Sequence, residues 1–193
     1  GIRLGAYDDL PGLLREMRGV EIPRVRLSSL EPMDVGEALL AEMADHPRLC
    51  HHVHLPLQSG DDGVLTAMGR RYTTQEFAAL VARARAAWPE AAVSTDMLVG
   101  FPGETEEQFR RTVEFAREMR FSRLHVFSYS ARPGTRAAKL QGVPAAEKRA
   151  RKEEMLQVAR ELAQQYAQRW LGKEVSVLVE DGAHQFLTGF SEQ

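Results

Sequence analysis

Segments typical of strands and of helices alternate along most of this chain, and this alternation is the feature that most limits its fold. Strand patterns occupy four clear segments, at residues 24–28, 52–57, 91–99 and 123–128, with a short stub at residues 1–4. Helical patterns lie between and after them, at residues 10–18, 35–44, 73–88 and 145–170, and from residue 105 through a stripe that includes Ala116. Strands that alternate with helices predict a mainly parallel sheet with right-handed crossovers.

The number of strand–helix units favours an incomplete barrel over a closed one. We count about five units, whereas a closed eight-unit barrel needs roughly 250 residues. Fold class is therefore α/β, either a partial (β/α) barrel or an open doubly wound sheet. Residues 174–180 and 185–189 alternate like a hairpin, which predicts the start of a small β domain. The expected division is residues 1–171 for the barrel and 172–193 for the β segment.

Composition narrows the function classes. The net charge is −2, from 25 basic and 27 acidic residues, which argues against a wholly basic nucleic-acid binder. No apolar run is long enough to cross a membrane. The single cysteine, Cys50, excludes an internal disulfide, fits the reducing cytoplasm and cannot hold an iron–sulfur cluster or a structural zinc by itself.

Polar residues and glycines follow the predicted strands, at the sheet edge where α/β proteins bind ligands. Gln58 can donate and accept hydrogen bonds, Arg70 can hold a carboxylate, and Asp96 is an acid in an apolar strand. Each also has a structural reading. Gln58 could hold a turn, Arg70 could be a surface charge, and Asp96 could cap the next loop.

Three histidines, His51, His52 and His54, raise the question of a metal site. In a strand His52 and His54 share one face and His51 points to the other. With Cys50 they lack a fourth ligand at suitable spacing for zinc. We expect the histidines to support the core or the site, Cys50 to be buried, and no metal to be bound.

Four sequence blocks together resemble the methylthiotransferase branch of the radical SAM enzymes. The blocks are HLPLQSGDD at residues 54–62, MGRRYT at 68–73, TDMLVGFPGET at 95–105 and YSARPGT at 129–135. Two further segments, RLSSLEP at residues 26–32 and HVFSYS at 125–130, resemble the group that acts on threonylcarbamoyladenosine at tRNA position 37.

This resemblance implies a radical-SAM partial barrel and a reaction that adds a methylthio group to C2 of a modified adenine. In that family one S-adenosylmethionine donates methyl and another is cleaved to a 5′-deoxyadenosyl radical by a [4Fe–4S] cluster. The implied S-adenosylmethionine ligands are Ser29, Gln58, Arg70, Asp96, Leu98 and Gly100. Gln58 and Asp96 would contact the ribose and Arg70 the carboxylate. Leu98 and Gly100 would lie near the adenine, and Ser29 at a strand end that contacts the cofactor.

The chain also departs from this family. The CxxxCxxC loop that ligates the radical-generating cluster would precede Gly1, and residues 172–180 resemble only the opening of a TRAM domain, a small RNA-binding barrel. We therefore expect a piece of a longer enzyme that binds no [4Fe–4S] cluster and is inactive alone, with its catalytic residues unknown. tRNA is the implied partner, no membrane is expected, and the incomplete barrel edge favours self-association.

Two alternatives remain open from the sequence. One is a noncatalytic RNA-binding or scaffold protein that retains the fold. Its basic face would come from two groups of residues, Arg110, Arg111, Arg117, Arg120 and Arg123, and Lys148, Arg149, Arg151 and Lys152. The other is a different radical-SAM enzyme such as a coproporphyrinogen-type oxidase, which shares the Gln, Arg and Asp positions.

Overall fold

A computed structural model describes residues 9–181 and 188–192. The predicted strand at residues 1–4 and the hairpin turn at Gly182 lie outside these residues. The helices are α1 (Leu10–Met17), α2 (Glu37–Asp45), α3 (Asp62–Ala67), α4 (Thr74–Ala87), α5 (Glu106–Met119) and α6 (Ala145–Gln168). The strands are β1 (His52–His54), β2 (Ala92–Val99), β3 (Arg123–Ser128), β4 (Val177–Asp181) and β5 (Thr188–Ser191).

Strands β1, β2 and β3 form a parallel sheet in that order, as the alternation of patterns predicts. β2 lies in the middle, and six of its eight residues are buried. A central parallel strand is covered on both faces, which explains its almost continuous apolar sequence. The α/β class and the partial-barrel architecture are thus confirmed.

Helices α4 and α5 begin as their sequences predict, whereas α3 was not predicted. α4 starts with a capping box of Thr73 and Glu76, and α5 with one of Thr105 and Gln108. The apolar stripes of α5 and α6 face the sheet and each other. Their buried apolar members are Phe109, Val113, Ala116 and Met119 on α5 and Met155, Val158 and Leu162 on α6.

Residues 24–28 do not form the predicted strand. The segment touches its neighbour only through two parallel bridges, Val25 with Leu49 and Ser29 with His54. Between these bridges the neighbouring segment advances one residue more than residues 25–29 do, so the pairing slips out of register. A one-residue slip interrupts a hydrogen-bond ladder, which leaves the segment beside the sheet without regular strand geometry.

The predicted strand at residues 52–57 ends early for a similar reason. Pro56 lacks an N–H, and the hydroxyl of Thr95 takes the place of ladder bonds. This hydroxyl accepts from the Leu57 N–H at 3.0 Å and donates to the Leu55 carbonyl at 2.6 Å. Pairing returns at Gln58, which bridges to Met97. The shift brings Gln58 to the carboxyl end of β2.

Strands β4 and β5 form the antiparallel hairpin that the alternating C-terminal pattern predicts. It lies against residues 24–26. Arg24 donates to the Ser176 hydroxyl at 2.7 Å and the Phe190 carbonyl at 3.1 Å, and Arg26 donates to the Ser191 carbonyl at 2.9 Å. Within residues 9–181 and 188–192, no helix has the length and apolar character needed to cross a membrane.

Candidate functional site

The concave face of the sheet lines an open cavity of about 870 Å³. Alternate residues of each strand point into it, because successive side chains of a strand lie on opposite faces. The lining side chains of the three strands are His52 and His54 from β1, Ala92, Ser94 and Asp96 from β2, and Arg123, His125 and Phe127 from β3. Leu178, Glu180, Phe190 and Ser191 of the hairpin form part of the opposite wall. A cavity of this size can hold a nucleoside-sized ligand.

A hydrogen-bonded row crosses the floor of this cavity. Ser94 Oγ lies 2.8 Å from Nε2 of His52 and 2.9 Å from Nδ1 of His54. A hydroxyl has one proton, so Ser94 can donate to one ring only and must accept from the other. On the far side of His54, Nε2 lies 3.4 Å from Oδ1 of Asp96. The row therefore joins His52 to His54 through Ser94 and places Asp96 beside the far nitrogen of His54.

The histidines occupy the faces that the sequence predicts. His51 points away from the cavity, edge-on to Trp88, with its Nδ1 3.7 Å from Glu90. Burial, with smaller contributions from Arg26 and the other histidines, lowers the pKa of His52 to about 4, so the ring is neutral near pH 7. Cys50 is 4% exposed, which confirms its predicted burial. Among the described residues no group of three or more His, Cys, Asp or Glu side chains is arranged to hold a metal.

Two of the six residues implied as cofactor ligands line the cavity, and they come from separate parts of the chain. Ser29 bridges to His54, and Asp96 lies on β2 with its side chain 25% exposed. Asp96 is therefore reachable from solvent, yet it has a histidine rather than an arginine beside it. A carboxylate in such a place can accept hydrogen bonds from a pair of ligand hydroxyls.

Gln58, Leu98 and Gly100 lie at the carboxyl end of β2 but do not line the cavity. The main chain of Gln58 accepts from the Leu98 N–H at 2.9 Å and donates to the Asp96 carbonyl at 2.8 Å. Gln58 has φ +79°, and no hydrogen bond to its side-chain amide occurs within the described part of the chain. Leu98 pairs in register with Phe127, which does line the cavity. Gly100 has φ +73° and lies under the side chain of Lys148.

Arg70 reaches the same edge of the sheet from the turn after α3. Its Nη1 lies 3.1 Å from Oε1 of Glu31, two residues beyond Ser29. The Tyr72 hydroxyl donates to the Pro56 carbonyl at 2.8 Å and holds this turn against the end of β1. Both charged side chains of the Arg70–Glu31 pair are partly exposed, so a ligand carboxylate can displace Glu31 with little loss.

Sequence reasoning missed the inward-facing residues that do not follow a strand. Ser94, Arg123 and Phe127 lie within their strands, and none of them was predicted as a cofactor ligand. The available signal was the alternation of side chains along a strand. Ser94 lies two residues from Asp96, and Arg123 and Phe127 each lie two residues from His125, so they share the face of those residues. That signal identifies a face, and only the packing of the hairpin and helices shows which face is open.

A parallel sheet with polar groups at its carboxyl edge and in its concave face is the arrangement in which α/β proteins bind ligands. The sequence pattern of the radical SAM superfamily matches residues 5–116, more than half of the chain. The chain belongs to the radical SAM superfamily.

Within that superfamily the chain is similar to tRNA methylthiotransferases, which confirms the resemblance seen in its motifs. It is 40% identical over 187 residues to the threonylcarbamoyladenosine tRNA methylthiotransferase of Thermotoga maritima, covering 93% of this chain and 43% of that protein. It is 45% identical over 161 residues to the tRNA-2-methylthio-N(6)-dimethylallyladenosine synthase of Methylacidiphilum infernorum, covering 83% of this chain and 34% of that protein. The chain thus spans less than half the length of these relatives.

Solved structures agree on the fold. Coproporphyrinogen III oxidase from Escherichia coli, a radical SAM enzyme, superposes with a TM-score of 0.60 at 19% identity, over 72% of this chain and 32% of that one. Elp3 from Methanocaldococcus infernus superposes with a TM-score of 0.54 at 10% identity, over 86% of this chain and 46% of that one. At these identities the likeness shows the fold alone.

Proposed function

We propose that this chain is the S-adenosylmethionine-binding part of a tRNA methylthiotransferase that adds a methylthio group to C2 of a modified adenosine at position 37. We further propose that the modified base is threonylcarbamoyladenosine and that the enzyme is cytoplasmic. The observation that carries the proposal is the meeting of Ser29 and Asp96 at a nucleoside-sized cavity. The choice of threonylcarbamoyladenosine is supported by the Thermotoga maritima relative, which is named for that modified base and matches this chain over 187 residues.

The residues present suit S-adenosylmethionine. Asp96 and the free amide of Gln58 would hold the ribose hydroxyls, and Arg70 would exchange Glu31 for the cofactor carboxylate. Leu98 and the backbone of Gly100 would form an apolar edge for the adenine. Ser29 lies beside His54 and would contact the cofactor from the neighbouring segment. When bound, S-adenosylmethionine supplies the methyl group and the radical-forming 5′-carbon, while these side chains bind and orient it.

The residues of this chain do not suit an iron–sulfur cluster. Clusters of this kind take several cysteine thiolates. The chain has one cysteine, Cys50, and that residue is 4% exposed. Activity of this chain alone is therefore not expected.

Calorimetric titration with S-adenosylmethionine tests the cofactor site directly. The Arg70→Ala and Asp96→Asn variants should each weaken binding roughly tenfold or more, because each removes charge-assisted hydrogen bonds. Arg71→Ala is the matched control, since Arg71 is adjacent and exposed. Glu31→Gln should strengthen binding about twofold to fivefold, because it frees Arg70 from an exposed ion pair. Equal binding by all four variants would contradict the assignment of these residues.

The proposed partner is tRNA, and the proposed reaction is tested by detecting its product, the methylthiolated tRNA. A longer form that carries the CxxxCxxC loop, reconstituted with its cluster, should add a methylthio group to tRNA that contains threonylcarbamoyladenosine. Mass spectrometry of the digested tRNA measures this addition, and no gain of a methylthio group on any tRNA would overturn the proposed activity.

We also propose that the chain self-associates through its sheet edge. Sedimentation that gives only a monomer at high concentration would contradict this part.

A noncatalytic RNA-binding role has no specific support from the described residues. Three arginines of the first candidate face, on α5, are engaged with acids: Arg110 with Glu106 and Glu154, Arg111 with Asp61 and Glu107, and Arg117 with Glu161. Arg151 of the second group is 5% exposed. These helices therefore present mixed charge rather than a positive surface.

A further inference from the structure

Arg123 is a cation at the cavity for which the described part of the chain supplies no ion-pair partner. It is the first residue of β3, pairs in register with Ser94 and lines the cavity wall. Its side chain is exposed, and it makes no ion pair or hydrogen bond within the described part of the chain. Long cationic side chains on a strand edge usually extend into solvent, whereas Arg123 lies on the concave face beside the histidine row.

The other charged groups of the cavity are already engaged or do not pair with Arg123. Arg24 lies 3.4 Å from Glu192, and Arg26 donates to the Ser191 carbonyl. Asp96 lies 3.4 Å from His54, and Glu180 on the hairpin also lines the cavity. Neither carboxylate lies within ion-pair distance of Arg123. Among the described residues of this wall, the guanidinium of Arg123 therefore remains available to an anion.

An aromatic surface lies on the same strand face. Phe127 is 50% exposed, and its ring lines the cavity four residues after Arg123, with His125 between them. His125 is edge-on to His54 at a ring-centroid distance of 5.6 Å. An exposed phenylalanine in an open cavity offers a face for a base, and aromatic stacking of bases is sequence-tolerant and favourable. β3 therefore presents a base-stacking surface and a free cation on one side.

We propose that Arg123 binds the carboxylate of the threonylcarbamoyl group on the target adenosine and so selects an acidic modified base over an apolar one. This inference rests on the proposed function. The threonyl group ends in a carboxylate, whereas a dimethylallyl group has neither charge nor hydrogen-bond donor or acceptor. An arginine fork matches a carboxylate in two parallel hydrogen bonds and gains nothing from a hydrocarbon tail. Arg123 is thereby a specificity-determining residue.

The test compares anticodon stem-loop RNAs that differ only in the base at position 37. The four RNAs carry threonylcarbamoyladenosine, its neutral carboxamide analogue, dimethylallyladenosine or plain adenosine. Binding to the chain is measured by fluorescence anisotropy, and the preference is the ratio of dissociation constants. A ratio cancels the phosphate contribution common to all four RNAs. The variants are Arg123→Gln, Arg123→Lys and the control Arg149→Gln, whose side chain is exposed on α6 outside the cavity.

Wild-type chain and Arg149→Gln should bind the acidic base roughly tenfold or more tightly than its carboxamide. Arg123→Gln should reduce this preference to within about twofold, and Arg123→Lys should retain part of it because the charge remains without the fork. A full preference in Arg123→Gln would overturn the inference and leave the proposed function standing. Wild-type chain that binds no stem-loop, or binds the dimethylallyl or plain RNA as tightly as the acidic one, would overturn both.

Discussion

Gln58 and Gly100 share a backbone conformation that L-amino acids rarely adopt. Their φ angles are +79° and +73°, and both residues lie at the carboxyl end of β2. For glutamine this conformation costs about 1–2 kcal/mol, and hydrogen bonds on both sides of Gln58 to β2 hold it there. The sequence predicted Gln58 from its place at a strand end. The strain could not be predicted, because it arises from the one-residue shift between β1 and β2.

Gly100→Ala should destabilise the fold by about 1–3 kcal/mol, measured as the free energy of unfolding in urea. Alanine is strained at positive φ, and its Cβ would overlap the Cγ and Cδ atoms of Lys148. Adding Lys148→Ala should remove this overlap and regain the stability lost to it, while the backbone strain remains. Gly142→Ala is the matched control, since its added Cβ would meet nothing within 4 Å. An unchanged stability of Gly100→Ala would contradict both the backbone strain at this residue and the close approach of Lys148.

The fold should become less stable as pH falls, because the folded state holds His52 neutral while the unfolded chain can protonate it. Its pKa is lowered from 6.5 to about 4 in the folded state, so the unfolded chain binds the proton first. Stability is therefore lost as pH falls from about 6.5 to about 4. His52→Gln can keep a hydrogen bond to Ser94 without titrating, and it should show a smaller loss between these pH values. Thermal unfolding across the range measures this. An identical pH dependence in the variant would place the titration elsewhere.

At the scale of elements, local signals predicted what local interactions decide. The capping boxes at Thr73 and Thr105 specify two helix starts from four residues each, and both are formed. The segment 24–28 reads as a strand because its residues alternate, but whether it pairs depends on register with a segment more than twenty residues away. Pairing of this kind is a tertiary property, so propensity does not determine it.

A buried ion pair joins α6 to the turn after β2. Arg151 Nη1 lies 2.8 Å from Oε2 of Glu104, and this oxygen also accepts from the Gly100 N–H at 2.8 Å. The side chains are 6% and 1% exposed. Burial raises the pKa of Glu104, and the bonds from Gly100 and Arg151 act in the opposite direction. The pair thus fixes the helix over the turn that contains the predicted adenine contact.

Arg151→Met should destabilise the fold by about 3–5 kcal/mol, because it leaves the Glu104 carboxylate buried without its partner. The double variant Glu104→Gln, Arg151→Met should recover most of this loss, since the remaining amide is uncharged. Urea unfolding measures both. Arg149→Met, on the exposed face of α6, should change stability by less than about 0.5 kcal/mol. A double variant as unstable as the single one would show that packing, rather than charge, dominates at Arg151.

For the whole molecule, the site depends on which segments meet across the sheet. Ser29, His54 and Asp96 are far apart in sequence and adjacent in space, because parallel strands align their ends. The sequence predicted that edge as a place for ligands, and the resemblance implied its residues. It could not predict that His54 contacts Asp96 or that no other described residue pairs with Arg123. Those facts depend on side-chain directions in three strands at once.

The C-terminal hairpin should open separately from the sheet. Its residues are absent from the buried core, and Leu178, Val179 and Phe190 are about half exposed. Its contacts with residues 24–26 are hydrogen bonds at the surface, each contributing about 1 kcal/mol. Independent opening of the hairpin is what the boundary predicted near residues 171 and 172 would mean physically.

Arg24→Ala with Arg26→Ala should therefore detach the hairpin and leave the barrel folded. Hydrogen exchange of the amides of β4 and β5 should become about tenfold or more faster, while the amides of β2, buried on both faces, keep their protection. Arg132→Ala with Arg136→Ala is the matched control, since both side chains are exposed in a loop that does not line the cavity. If β2 loses protection to the same extent as the hairpin, the two regions unfold as one cooperative unit and the proposed boundary is wrong. If only the hairpin opens, the cavity wall formed by Leu178 and Phe190 is a movable one, and access to Arg123 and Asp96 is controlled by residues outside the barrel.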